Sequence, residues 1–284
     1  MQLIGSEGLK RKMIQSMNQA TREQLKWKAS EGTFDLRDAV SSLIASYLTP
    51  KLISNLKPET QAELIDHFKA FNIDWFRSPF APFTWKIIYK VLKARREAMQ
   101  LIKEALKKRK ESREKHGDFL DTLLEDMEKE DSIYDEASVI NLLLIIGVVS
   151  KDTTSVATAL MVNLLSKNPK VLAELKDIQF PRDGSWPLHH LWFTITLKYM
   201  RIRWSSIHGD GRGKILRSVT KTLMVFGGGT RQCVGADFAR LQMTVFLYHL
   251  VTTYDFVVVQ ECEMTRTPLP CFTKDLLINI SPTL

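Results

Sequence analysis

One cysteine in this 284-residue chain stands in a setting suited to metal chemistry. Cys233 lies in Phe226-Gly-Gly-Gly-Thr-Arg-Gln-Cys-Val-Gly235, where Phe226, Gly229, Arg231, Cys233 and Gly235 give the order F-x-x-G-x-R-x-C-x-G. Five fixed identities arise by chance on the order of once in a few million start positions. A metal-ligating cysteine must be ionised and held rigidly. The N–H groups of the following turn, and the positive end of a helix starting near Gly235, stabilise such an anion. Gly227, Gly228 and Gly229 let the backbone turn tightly. Gly235 withholds a Cβ where the helix start meets whatever the cysteine binds. Arg231 offers a cation to an acidic group of that ligand. Phe226 shields the sulfur and tunes its electron donation. Taken alone, Cys233 reads equally as a buried cysteine in a turn, and the complete motif is what argues against that.

A second constellation is Val149-Ser-Lys-Asp-Thr-Thr154. It falls inside Asp135 to Lys167, a stretch apolar on most sides and therefore predicted to be a buried central helix. An acid beside a hydroxyl in a buried helix can pass protons over a short relay, and Asp152 beside Thr153 supplies those two groups. Such a triplet by itself more often decorates a solvated helix face. Lys151 is given no role.

The elements that must position these residues are mostly helical. Ser6 to Ala29 shows apolar spacing at Leu9, Met13, Met17 and Ala20. Asp35 caps a helix ending near Pro50, and Pro58 begins another. Pro79 and Pro82 break the chain before a long basic helix from Thr84. Asp118 to Glu130 and Lys170 to Lys176 give short helices, and Ala236 to Tyr254 an amphipathic one. Phe256 to Val259 and Leu276 to Ile280 read as strands. The expected fold class is mainly α with a small β part.

Composition narrows the function. The net charge of +8 is concentrated in Lys93 to Lys115. That run reads as the solvated face of a helix with Ile102, Ala105 and Leu106 as its apolar stripe; a docking surface for an acidic partner or membrane is the alternative. No aromatic residues are interleaved in it, so nucleic acid is not an expected partner. Three cysteines, Cys233, Cys262 and Cys271, make no disulfide framework. The most apolar run, Leu142 to Val149, is too short to span a membrane, and the first residues lack the apolar core of a signal peptide.

On these residues the chain resembles the cytochrome P-450 family. The cysteine loop is similar to the family's haem signature. The continuation ADFARLQMTVFLYHLV resembles the helix that follows it in plant members acting on steroids and triterpenoids. Residues 149–154 resemble the family's A/G-G-x-D/E-T-T, a match that implies Asp152 and Thr153 as the proton-relay pair, with Val149 and Ser150 bulkier than the two small residues that open an oxygen groove. The resemblance implies a P-450-like haem-thiolate fold and haem (iron protoporphyrin IX) as cofactor. Cys233 would ligate iron, while Phe226, Gly227, Gly228, Gly229, Arg231 and Gly235 would cradle the macrocycle. The thiolate donates electron density and favours O–O cleavage. The implied activity is that of an oxidoreductase, a monooxygenase hydroxylating an apolar steroid or triterpenoid with dioxygen. Electrons would come from an NADPH-dependent cytochrome P-450 reductase. The implied location is the cytosolic face of the endoplasmic reticulum membrane, through an anchor expected of full-length members and not recognised in this chain.

The resemblance covers about Met1 to Lys176 and Lys221 onward, as one incomplete domain over 1–284. The family's Trp-x-x-x-Arg and the Glu-x-x-Arg ahead of the thiolate loop are not found; Glu263 to Arg266 matches the latter only literally. Between Arg182 and Gly213 no periodicity holds, yet Trp186, Trp192, Trp204, His189, His190 and His208 cluster there. Tyr199 to Gly211 can be encoded so that a shifted frame reads Y-E-D-P-L-V-F-N-P-W-R-W, similar to the family's segment before the thiolate loop. Residues 181–213 are therefore read as out of frame, and their aromatic-histidine cluster as functionless. The competing expectations are an inactive truncated fragment and a helical interaction protein using the basic helix.

Overall fold

A computed structural model of the chain describes residues 7–71, 84–176, 226–266 and 270–283. The stretch 181–213, and the return of regular pattern expected at Lys221, lie outside them. The described residues form eight α-helices and five strands, the mainly α fold with a small β part that the sequence implies. They divide into two compact units.

The first unit comprises Met1–Leu36, Ala157–Glu261 and Leu276–Leu284. Helix α1 (Glu7–Glu31) packs against α8 (Ala236–Thr253), which also meets α7 (Pro169–Lys176) and strand β2 (Tyr254–Gln260). The buried face of α1 is Ile14, Met17, Thr21 and Leu25, rotated from the expected Met13–Ala20 face. Thr21 is tolerated on that face because its hydroxyl donates to the Met17 carbonyl at 2.8 Å. Helix α8 buries residues on most sides, Phe238, Leu241, Val245, Phe246 and Leu250 among them. It is thus a core helix rather than the one-faced helix its periodicity suggests. Strands β1 (Phe34–Asp35), β5 (Leu277–Pro282) and β2 form an antiparallel sheet in the order β1-β5-β2. Val257 and Val259 of β2 face outward and are exposed.

The second unit comprises Arg37–Val156 and Cys262–Asp275. It holds α2 (Leu36–Leu52), which begins one residue earlier, α3 (Pro58–Ala70), α4 (Thr84–Ser112), α5 (Phe119–Met127) and the first two-thirds of α6 (Glu136–Ser166). A two-stranded hairpin of β3 (Glu263–Arg266) and β4 (Pro270–Lys274) completes it. Glu263 pairs with Lys274 across that hairpin at 2.6 Å, so the literal Glu-x-x-Arg match is a strand and not a helical ion pair. Helix α4 buries Ile102 and Leu106 of its expected stripe and leaves Ala105 half-buried; Ala98 is buried in addition, and the lysines are exposed.

Two local devices fix this unit. Asp118 caps α5 by accepting from the Asp121 N–H at 2.9 Å, and Arg109 of α4 reaches both Asp118 and Asp121. The Asp118 carboxylate also accepts from the Ser54 N–H and hydroxyl at 2.8 and 2.6 Å. The other device is Gly147, where α6 passes the Phe68 ring: a Cβ there would lie 2.5 Å from two ring carbons. By length and composition α6 is apolar enough to cross a membrane, a longer run than Leu142 to Val149 alone implies. More than half of its most apolar window is buried in the protein, as in the central helix of a globular fold.

Candidate functional site

The cysteine loop precedes α8 as a compact turn. The Cys233 N–H donates to the Phe226 carbonyl at 2.8 Å, which closes the loop on itself. A short 3₁₀ turn, Gly229–Arg231, lies between them, closed by the Gln232 N–H to the Gly229 carbonyl at 3.3 Å. Gly227 (φ +72) and Gly229 (φ +61) occupy the left-handed region, so glycine is demanded there by the backbone itself. Gly228 is extended, and Gly235 has an ordinary helix-entry conformation. Among the described residues, a Cβ on Gly235 would meet only the Cys233 sulfur, at 4.0 Å. At Gly228 and Gly235, backbone conformation therefore does not account for glycine. A flat group lying against the loop would, and the exposed thiol of Cys233 is positioned to ligate it.

Helix α8 contributes more than its N-terminus. Arg240, one turn in, places its guanidinium over the Phe226 ring at 4.7 Å from the centroid. Asp237 orients it from 3.1 Å. Phe226 is thereby anchored to the helix, which in turn holds the carbonyl that receives the Cys233 N–H. Nothing in the motif reading singled out Arg240; Phe226 lies in the loop and Arg240 in the helix after it, so no period within one element reveals the pair. Arg231 is exposed on the loop surface.

In the second unit the sequence-assigned relay is split between two faces of α6. Thr153 is exposed, and its hydroxyl donates to the Val149 carbonyl at 3.0 Å. It continues a stripe of exposed residues one turn apart, Ile145 and Val149, an apolar face on an otherwise buried helix. Asp152 is 7% exposed and points elsewhere, into a polar pocket lined by Arg37, Asp38 and Ser41 of α2, Lys69 of α3, and Lys151 and Ser155 of α6. Lys151, dismissed on sequence as a variable position, is 1% exposed and pairs with Asp152 at 2.5 Å. Ser150 donates back to the Ile146 carbonyl at 2.6 Å, so the bulkier residue at this position spends its hydroxyl on the helix. The loop residues are thus brought together by one turn and one helix, whereas the adjacent Asp152 and Thr153 are not brought face to face.

Comparisons with known proteins bear on the family and the fold. The family model described as Cytochrome P450 matches residues 6–177 and 193–282. Cytochrome P450 708A2 of Arabidopsis thaliana is 44% identical over 341 residues, covering 100% of this chain and 72% of the relative. The matched stretch is longer than the 284-residue chain, so at least 57 positions (341 − 284) of that stretch have no counterpart here. Beta-amyrin 16-alpha-hydroxylase CYP87D16 of Maesa lanceolata is 22% identical, covering 98% of this chain and 70% of the relative. Among solved structures, retinoic acid bound cyanobacterial CYP120A1 superposes with a TM-score of 0.70 at 15% identity, over 96% of this chain and 75% of the other.

Proposed function

The chain belongs to the cytochrome P450 family, and from that premise we propose that it is the haem-binding part of a monooxygenase that hydroxylates an apolar triterpenoid or steroid. The carrying observation is the closed loop that presents an exposed Cys233 beside Gly228 and Gly235, two glycines whose conformations do not themselves call for glycine. Cys233 would ligate the haem iron; Phe226, held by Arg240, packs behind the loop; Arg231 is the cation for a propionate. Haem bound there, reduced by electrons from an NADPH-dependent reductase, supplies the activation of dioxygen.

The chain's own residues do the rest. In the second unit, the exposed Ile145 and Val149 make an apolar face on α6. Thr153, on that face, holds a proton that it can hand on, and Asp152 behind it draws on the polar pocket. The triterpenoid or steroid class rests on the relatives, one of which is named for hydroxylating beta-amyrin. Docking of the reductase and attachment to the endoplasmic reticulum belong to the same reading.

A second reading has its own support. The family match is interrupted over 178–192, and at least 57 positions of the Arabidopsis relative's matched stretch have no counterpart. Residues 181–213 read out of frame would replace the family's segment before the thiolate loop, leaving a chain of the family without its turnover. One experiment addresses both readings: expression with haem supplied, then haem stoichiometry, the carbon monoxide difference spectrum, and turnover of triterpenoids and sterols with a plant reductase. Near-stoichiometric haem with a thiolate-type spectrum and product supports the monooxygenase; low haem and no product supports the inactive form. In either case, any thiolate-type spectrum should vanish in Cys233→Ala. Its persistence would remove Cys233 from the site.

A further inference from the structure

The cysteine loop is held to the protein by its two ends. Residues 227–234 are all exposed, and only Phe226 and Gly235 at the margins are partly covered. Gly235 is fixed as the start of α8, where its carbonyl accepts from the Ala239 N–H at 2.9 Å. The other end depends on Phe226, the loop's single aromatic residue. Its carbonyl accepts from the Cys233 N–H at 2.8 Å, so a shift of Phe226 is passed directly to the residue that carries the thiol. The Arg240 guanidinium lies over the Phe226 ring, 4.7 Å from its centroid, and Asp237 holds that guanidinium from 3.1 Å. A leucine at 240 would cover the ring with less side-chain entropy to lose and no counter-charge to find. Cover alone therefore does not explain arginine. A cation over the face of a ring is attracted by the ring quadrupole, which an apolar side chain does not supply.

We propose that Arg240 is a positioning residue for Cys233: its cation, oriented by Asp237, clamps the Phe226 ring one turn into α8 and so steadies the backbone bond that sets where the sulfur stands. Both ends of the loop are then tied to one helix, Gly235 by the chain and Phe226 by Arg240, and loop and helix move as a unit. The glycines make such a tie useful. Gly227 and Gly229 occupy left-handed backbone, and three glycines in a row lose more conformational freedom on ordering than any other residues would. A metal ligand, by contrast, has to be held to within about 0.5 Å of its productive place. Arg240 acts on the ligand only through Phe226 and the Cys233 N–H. The positioning of an iron ligand rests on the monooxygenase reading above; the clamp on the loop does not.

The test begins with amide hydrogen exchange of the full 284-residue chain, followed residue by residue by NMR. Arg240→Leu should speed exchange of the Cys233 N–H by about two- to fivefold, the effect of losing a cation–π contact at a partly exposed site. Val245 and Leu247, in the buried middle of α8, should keep their rates. Arg240→Lys restores a cation and should recover most of the protection. Phe226→Leu should speed the Cys233 N–H as well, and the double variant should be no faster than Phe226→Leu alone. An unchanged Cys233 rate in folded Arg240→Leu, no recovery with lysine, or additive effects in the double variant overturns the clamp. Should Arg240→Leu fail to fold, the side-chain protons of Arg240 in the unaltered chain decide. They should resonate upfield of an ordinary arginine because of the ring beneath them, and ordinary shifts overturn the proposal. With haem loaded, the thiolate-type carbon monoxide spectrum should decay about two- to fivefold faster in Arg240→Leu, and near the original rate in Arg240→Lys. Equal decay in Arg240→Leu and the unaltered protein overturns the positioning role. A chain that takes up no haem sinks the monooxygenase reading and leaves the exchange rates to judge Arg240.

Discussion

His249 carries a charge only when protonated, and its surroundings resist that. Burial, then the nearby Arg22 charge, push its pKa down to about 4. Its Nε2 meets the Asn18 side-chain oxygen on α1, so the neutral ring carries its proton on Nε2 and donates to that oxygen. An unfolded histidine titrates near 6.5. Between about 6.5 and 4 the unfolded chain therefore binds more protons than the folded one, and stability falls as pH falls. The contribution is fully present above 6.5 and is of order 2–3 kcal/mol across the window. Denaturant midpoints at pH 7.5, 6 and 5 should drop faster for the unaltered chain than for His249→Gln; parallel lines would contradict the assignment. Residues of this kind are poorly legible in sequence. Cys233 could be read because its partners lie within ten residues and their types are rare together. Arg240 acts through a ring brought near by folding, and the burial of Lys151 is set by the elements around it, so neither carries a local pattern that marks it.

At the scale of elements, helix positions were legible because proline, capping aspartate and apolar period are local signals. Pro58 opens α3, Asp118 caps α5, and α6 differs from its expected bounds by one residue at each end. The hairpin of β3 and β4 was missed, since its pairing is cross-strand and its residues lack a sustained alternation. The junction of α4 and α5 was also hidden, because Arg109 looks like one more charge in a basic run. In the fold it is 6% exposed and bridges two acids. Burial raises the Asp118 pKa, yet the hydrogen bonds from Arg109 and Ser54 outweigh it, and the carboxyl stays below its ordinary value. Acid must therefore protonate Asp118 against these bonds, so its stabilisation is lost only as pH falls below about 4. Removing the cation strands two buried carboxylates, a loss of about 3–5 kcal/mol. Arg109→Met should lower the urea midpoint accordingly, whereas Lys107→Met, on the exposed face of the same helix, should leave it nearly unchanged.

For the whole molecule, the family match and the described elements agree that this is a mainly helical protein. The small sheet has a bearing on handling. Among the described residues β2 is paired on one side only, with β5. Its Phe256-Val-Val-Val-Gln260 run carries no charge, and Val257 and Val259 face solvent. An open strand edge with branched apolar side chains is a template on which another chain can add a strand. The lysine that blunts such edges in many sheets is missing from this run, so concentrated preparations should form insoluble β-rich particles by edge-to-edge growth. Val257→Lys should delay the rise in light scattering and in thioflavin fluorescence while leaving the melting temperature within a few degrees, because the altered side chain already faces water. An unchanged lag would place the nucleating segment elsewhere in the chain.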